Sequence, residues 1–248
     1  MKKNYSILVV LLVVLCISST KAQDTIKPKL KGWSTELNFN PFNGSLSLNN
    51  SSGQIKLRKF CANNVALRIA FNIGNKANTS SNTYPYGNIP IDTKEKMNSL
   101  LVAINFGTEK HFKTNLRLSP YIGWEVGMGI KSSKQIIDNH SNTKTIKGAW
   151  QTMYLTNAGQ GYYYTTNYTE RGFLSFNANA LTGFDFYMTK DFYFGYEFGF
   201  GIEYFKYSKI TVTKDIAFPD QGTYPDQTAS SWNIGPHLIN GIRIGYTF

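Results

Sequence analysis

From Phe192 to Tyr204 the chain sets Phe192, Phe194, Tyr196, Phe198, Phe200, Ile202 and Tyr204 against Gly195, Glu197, Gly199, Gly201 and Glu203. A period of two belongs to a β-strand, whose successive side chains point to opposite faces. One face of this strand must meet an apolar medium, and the other must meet something small and charged. The alternation recurs in seven further segments. Residues 31–40 set Trp33, Thr35, Leu37 and Phe39 against Ser34, Glu36, Asn38 and Asn40, and 54–60 set Ile55 and Leu57 against Lys56 and Arg58. Residues 65–73 carry Leu67, Ile69 and Phe71 against Arg68 and Ala70, and 100–107 carry Leu100, Val102, Ile104 and Phe106 against Asn105 and Gly107. Ile122, Trp124, Val126, Met128 and Ile130 oppose Tyr121, Gly123, Glu125 and Gly127; Phe176, Phe184 and Phe186 oppose Ser175, Asn177, Asn179 and Asp185. The last segment sets Trp232, Ile234, Leu238, Ile242, Ile244, Tyr246 and Phe248 against Asn233, His237, Arg243 and Gly245, with Pro236 and Asn240 fitting poorly and a bulge expected near Pro236.

This pattern predicts an all-β fold: a closed antiparallel transmembrane β-barrel of about eight strands, with ten as the alternative if the strand-prone stretch near 151–168 joins the wall. The apolar row is free of charge except for Lys59 at a rim. The polar row carries Glu36, Lys56, Arg58, Arg68, Glu125, Asp185, Glu197, Glu203 and Arg243, the candidate interior network. A Lys or Arg on the lipid face costs roughly 2–4 kcal/mol at mid-depth, so such a division is what a bilayer demands. A soluble barrel would have to hold the Phe-rich row inside, where eight strands leave room only for their own side chains or one small ligand. Closure also satisfies every backbone group without water. Connections near 61–64, 108–117 and 187–191 are short, and those near 41–50, 74–96, 132–171 and 206–230 are long. That alternation is expected of short periplasmic turns and long extracellular loops.

The first 22 residues read as a cleaved signal peptide: Lys2 and Lys3, the apolar run Ile7–Ile17, then Thr20-Lys21-Ala22. The run is shorter than the roughly 20 residues of a spanning helix. Residues 23–30 form a short N-terminal segment, and 31–248 the barrel domain. Losing Lys2, Lys3 and Lys21 with no acid takes the net charge from +11 to +8. Cys16 departs too, so Cys61 is the sole remaining thiol and an internal disulfide is excluded.

With these features the chain resembles the outer-membrane β-barrel families of Gram-negative bacteria, including small eight-stranded barrels. The resemblance covers about 31–248 and is most specific in the ending GIRIGYTF. There Tyr246 and Phe248 match the family's terminal aromatic and the hydrophobic residue two before it, while Arg243 stands where glycine is usual. The resemblance implies an outer-membrane location, lipid and lipopolysaccharide as surroundings, and assembly machinery that reads the last strand.

No catalytic set, metal spacing or cofactor fingerprint is present. Asp138, His140 and Ser141 are neighbours in one long loop; His111 falls in a short turn and His237 on the interior row. Neighbours in a loop do not make an oriented triad. The expected function is therefore non-enzymatic, structural or surface-interacting through the outer loops. A narrow solute channel and a lipid-modifying enzyme stand as alternatives. The basic residues are scattered, which argues against nucleic acid. Lysines such as Lys134, Lys144 and Lys147 suit anionic lipopolysaccharide. Tyr154, Tyr162, Tyr163, Tyr164 and Tyr168 give the longest loop an aromatic surface for an unknown surface ligand. Deleting Phe248 is expected to lower the outer-membrane yield of folded, heat-modifiable protein sharply; an unchanged yield would count against the assembly-signal reading.

Overall fold

The computed structural model describes residues 32–40, 45–47, 55–62, 64–84, 91–112, 117–139, 142–157, 162–215, 228–238 and 242–248. Residues 1–31, Asn240, His140 and Ser141 lie outside them. The strands are β1 (Trp33–Asn40), β2 (Ser45–Ser47), β3 (Ile55–Ala62), β4 (Val65–Tyr84), β5 (Ile91–His111), β6 (Leu118–Asn139) and β7 (Asn142–Lys147). They continue as β8 (Trp150–Asn157), β9 (Tyr162–Thr169), β10 (Phe173–Tyr187), β11 (Phe192–Tyr207), β12 (Thr211–Asp215), β13 (Ser230–Leu238) and β14 (Ile242–Thr247).

Eight strand positions close into an antiparallel barrel. Going round, β1, β3, β4, β5, β6, β10 and β11 are followed by an eighth made of β13 and β14 in succession, and β14 returns to β1. At the seam, Trp33 and Phe248 exchange both backbone hydrogen bonds at 2.8 Å. The stretch near 151–168 does not join the wall: β8 and β9 form their own two-stranded sheet. The wall therefore has eight strands, not ten.

Facing follows the sequence rows. Ile122, Trp124, Val126, Met128 and Ile130 are exposed on the outside of β6, while Tyr121 and Glu125 are buried inside. The irregularity expected at Pro236 lies elsewhere. Pro236 opposes Phe200 in regular register, and Phe198 opposes Leu238. Gly195, however, opposes Arg243. Three steps along β11 thus match five along the eighth strand, and the two extra residues fall between Leu238 and Arg243. An even number leaves the inside and outside rows unchanged. A one-residue bulge does occur in β3 at Cys61, whose thiol is exposed at the short-turn end.

The long connections are more structured than loops. β4 and β5 stay paired through Tyr84 and Ile91, so the expected 74–96 loop is mostly a hairpin. At 20–22 residues β4, β5 and β6 are longer than the wall strands β3, β10 and β11 at 8, 15 and 16, so they stand well beyond the barrel. There β6 changes neighbour: residues 118–131 pair with β10, and 134–139 pair with β7, which pairs in turn with β12. A small second core of Ile146, Ala149 and Ile210, with Ile137, Tyr168 and Val212 against it, holds this outgrowth together.

The division is pinned at two corners. Gly148 adopts φ +87°, a left-handed conformation suited to glycine. Its N–H donates to Ser133 O (2.8 Å), and an added Cβ would lie 2.4 Å from Lys209 O. Glu170 adopts φ 45° and takes Lys76 (2.5 Å) and Lys131 on its carboxylate, across the mouth of the barrel. The hydrogen bond from Lys131, then that from Lys76, holds the Glu170 carboxyl below the usual carboxylate range. A depressed folded-state value means the latch contributes above the ordinary range and is lost as the pH falls through the depressed one. Gly148→Ala is expected to cost at least roughly 1–2 kcal/mol from the left-handed backbone alone. Limited proteolysis should then cut the β7–β9 region faster while the barrel stays heat-modifiable.

Candidate functional site

Every strand of the barrel sends at least one charged side chain to the middle. Glu36 comes from β1, Lys56 and Arg58 from β3, Arg68 from β4, Glu109 from β5, Glu125 from β6, Asp185 from β10, Glu197 from β11 and Arg243 from β14. None of the nine residues is more than 2% exposed. Isolated, each ion would cost several kcal/mol to bury; here they neutralise one another. Lys56 Nζ lies 2.7 Å from Glu36 and 2.9 Å from Glu197. Arg58 reaches Glu109 at 3.0 Å and Asp185 at 2.8 Å. Arg68 reaches Glu109 at 2.8 Å, Glu125 at 3.0 Å and Glu197 at 3.1 Å. Arg243 binds Glu36 at 2.9 Å and Asp185 at 3.3 Å.

Arg58 and Arg68 oppose each other directly in the β3–β4 register. Like charges so placed repel, and Glu109 resolves the conflict by giving one carboxylate oxygen to each guanidinium. Long side chains fit because glycines face them across the sheet. Gly107 sits opposite both Arg68 and Glu125, and Gly245 opposite both Glu36 and Tyr193. A Cβ on Gly245 would lie 1.9 Å from the Tyr193 ring.

Neutral groups complete the filling. Tyr121 donates to Glu197 (2.7 Å), and Asn105 and Asn179 each donate to Glu125 (3.1 Å). The Arg58 guanidinium lies 5.0 Å from the Tyr193 ring centroid, a cation–π distance. Below them Phe60, His111, Tyr187 and Tyr193 are buried toward the short-turn end.

Eight of the nine network candidates from the sequence meet in this cluster; Glu203 does not. It is half-buried on β11, six residues beyond Glu197, or about 20 Å at the rise of a strand. Glu109 takes its place as the fifth acid. It was missed because 108–117 reads as a turn, whereas β5 runs on to His111. Its position four residues after Asn105, on the same row, is the signal that could have found it.

His111, read from the sequence as a turn residue, is buried at the end of β5. Its Nδ1 is 3.0 Å from Ser119 Oγ and its Nε2 is 3.4 Å from Glu109. These are the residue types of an acyl-transfer triad, but Ser119 is 3% exposed. Phe60 and Tyr121 pack on the imidazole at 5.5 and 5.1 Å between centroids, and Glu109 already serves two arginines. The arrangement is a packed polar base to the barrel. His237 lies on β13, its side chain outside the described residues. Among the described residues no group of His, Cys, Asp and Glu could hold a metal ion.

No protein-family model, curated protein or solved structure matches the chain. Its function has to be argued from the geometry. Glu197→Gln keeps shape but strands Lys56 and Arg68, and it is expected to cost about 3–5 kcal/mol, the range for breaking a buried pair. Glu203→Gln should cost under about 1 kcal/mol. Urea unfolding of both variants in lipid vesicles measures the difference.

Proposed function

We propose that the chain is a non-enzymatic outer-membrane barrel of a Gram-negative envelope, closed to solutes by its own side chains. Its role is structural and surface-interacting, performed by the strands standing beyond the bilayer. The observation that carries this reading is inverted polarity. Nine ionisable residues lie sealed inside the barrel, while Ile73, Trp124, Val126, Met128, Phe200 and Ile234 are 46–68% exposed outside. In water such a molecule would display an apolar surface far larger than the few hundred Å² a soluble protein leaves uncovered.

The height of the band supports the same medium. On β6 the outward apolar row runs from Leu118 to Ile130 and gives way to Ser132 and Lys134. Twelve steps at the rise of a strand, tilted about 40°, span roughly 30 Å along the axis, the thickness of a hydrocarbon core. The last strand agrees: Ile242, Tyr246 and Phe248 face out and Arg243 faces in. In this orientation the short turns and both ends of the barrel domain face the periplasm. The β4–β7, β8–β9 and β12 outgrowth faces outward, where a rigid base presents variable contact surfaces.

The filled interior favours a plug over a channel. The test uses single cysteines at 175, 176, 177 and 178 on β10, with Cys61 replaced by serine. A lipid-soluble probe should label positions 176 and 178 and spare 175 and 177. The wild-type protein in a planar bilayer should show no stable unitary current. Labelling of the opposite pair would overturn the membrane orientation; a steady conductance would overturn the plug.

A further inference from the structure

Resting on the membrane reading above, we infer that Lys96, Lys134 and Lys147 form a binding site for the phosphate of an anionic lipid, on the outer face immediately above the apolar band. The register places them together. Lys134 opposes Lys147 across β6–β7, and it opposes Asn98 across β5–β6, with Lys96 two residues along on the same face. Directly opposed residues have Cβ atoms about 5 Å apart and diagonal ones about 7–8 Å. Thr211 sits opposite Lys147 on β12, adding a hydroxyl to the same rung. Lys96, Lys134, Lys147 and Thr211 are all exposed.

Two independent features mark this cluster as built for an anion. First, three lysines nearby are held by partners within the molecule and Lys94 stands directly opposite Asp138, whereas Lys134 stands opposite Asn98 and Lys147. The inward Lys76 and Lys131 are held by Glu170, and Lys144 by Gln151 at 2.5 Å. Among the described residues, no carboxylate pairs with Lys96, Lys134 or Lys147. Like charges directly opposite destabilise a sheet, so the Lys134–Lys147 rung calls for an external counter-charge. Second, the rung is held in place. Gly148, next to Lys147, is fixed by its left-handed backbone and its bond to Ser133.

The position selects the source of the phosphate. One rung below, Ser132 opposes Leu100. Beneath that pair the outward residues on these strands are apolar: Val102, Ile104, Ile130 and Met128. An anion bound by the lysines would thus sit directly over a surface that takes acyl chains, the layout of a phospholipid or glycolipid headgroup. Lys144, which the sequence grouped with Lys134 and Lys147, points the other way and is replaced in the site by Lys96.

The experiment uses the full mature chain folded into phosphatidylcholine vesicles with and without phosphatidic acid, read by urea unfolding and heat-modifiable migration. Phosphatidic acid should stabilise the wild type. In the triple variant K96Q/K134Q/K147Q that gain in the folding constant should fall by roughly a hundredfold, at about fivefold per surface lysine. In pure phosphatidylcholine the triple variant should be at least as stable as wild type, because the Lys134–Lys147 repulsion is gone. A control, K59Q/K110Q/K190Q, removes the same charge at the opposite rim and should keep the gain. Equal losses in both triples would mean diffuse charge attraction and overturn the site. An equal gain from inorganic phosphate added to phosphatidylcholine vesicles would make it a free-anion site and overturn the lipid source. Failure of the wild type to fold in pure phosphatidylcholine would instead strike at the membrane reading, and the site would fall with it.

Discussion

The barrel depends on the mutual neutralisation of charges at its centre. Burying nine ionisable groups is tolerable only because carboxylates and bases interleave at 2.7–3.3 Å, with each strand contributing. The outer face can then be predominantly apolar, because the cohesion of a soluble core has been replaced by ionic contact inside. Glycines opposite the longest side chains are part of the same device, since they supply the width that four bases and five acids need.

Much of this was legible in the sequence because facing is a local property. A strand with Phe198 and Phe200 on one side and Glu197 on the other must turn Glu197 inward wherever lipid surrounds it. The level of each residue along the axis is not local. It depends on the stagger between strands, which is set by turns, by the bulge at Cys61 and by the two extra residues after Leu238. Glu203 and Glu197 look equivalent in sequence, yet only Glu197 reaches the level of Arg68. Glu109 escaped for a related reason: its outward neighbours Thr108 and Lys110 are polar, so the contrast between rows fades at the rim.

The outgrowth beyond the band was read mainly as loop because alternation needs two different media. Residues 75–83 of β4 have water on both sides and carry polar residues on both faces, Asn75, Thr79, Ser81 and Thr83 on one and Lys76, Asn78, Ser80 and Asn82 on the other. Nothing in their pattern separates them from a loop, although they pair without interruption with β5. Tertiary pairing, which the sequence displays only weakly there, decides the structure. The small core around Ile146 and Ile210 shows the same limit: it joins residues 64 apart in sequence through Gly148 and the β12 strand.

The one-charge-per-strand arrangement also bears on how the wall finds its alignment. A slip of one residue between neighbouring strands would turn a whole row inside out and put its charges on the apolar face. A slip of two keeps every facing and escapes that penalty. Such a shift at the β1–β14 seam would bring Arg243, which now opposes Asn38, level with Glu36 or Asn40, and in either case would disturb its 2.9 Å contact with Glu36. The central cluster therefore reads the error that the facing of the rows cannot detect. It behaves as a combination lock with one tumbler on each strand, and closure is rewarded only when all of them align.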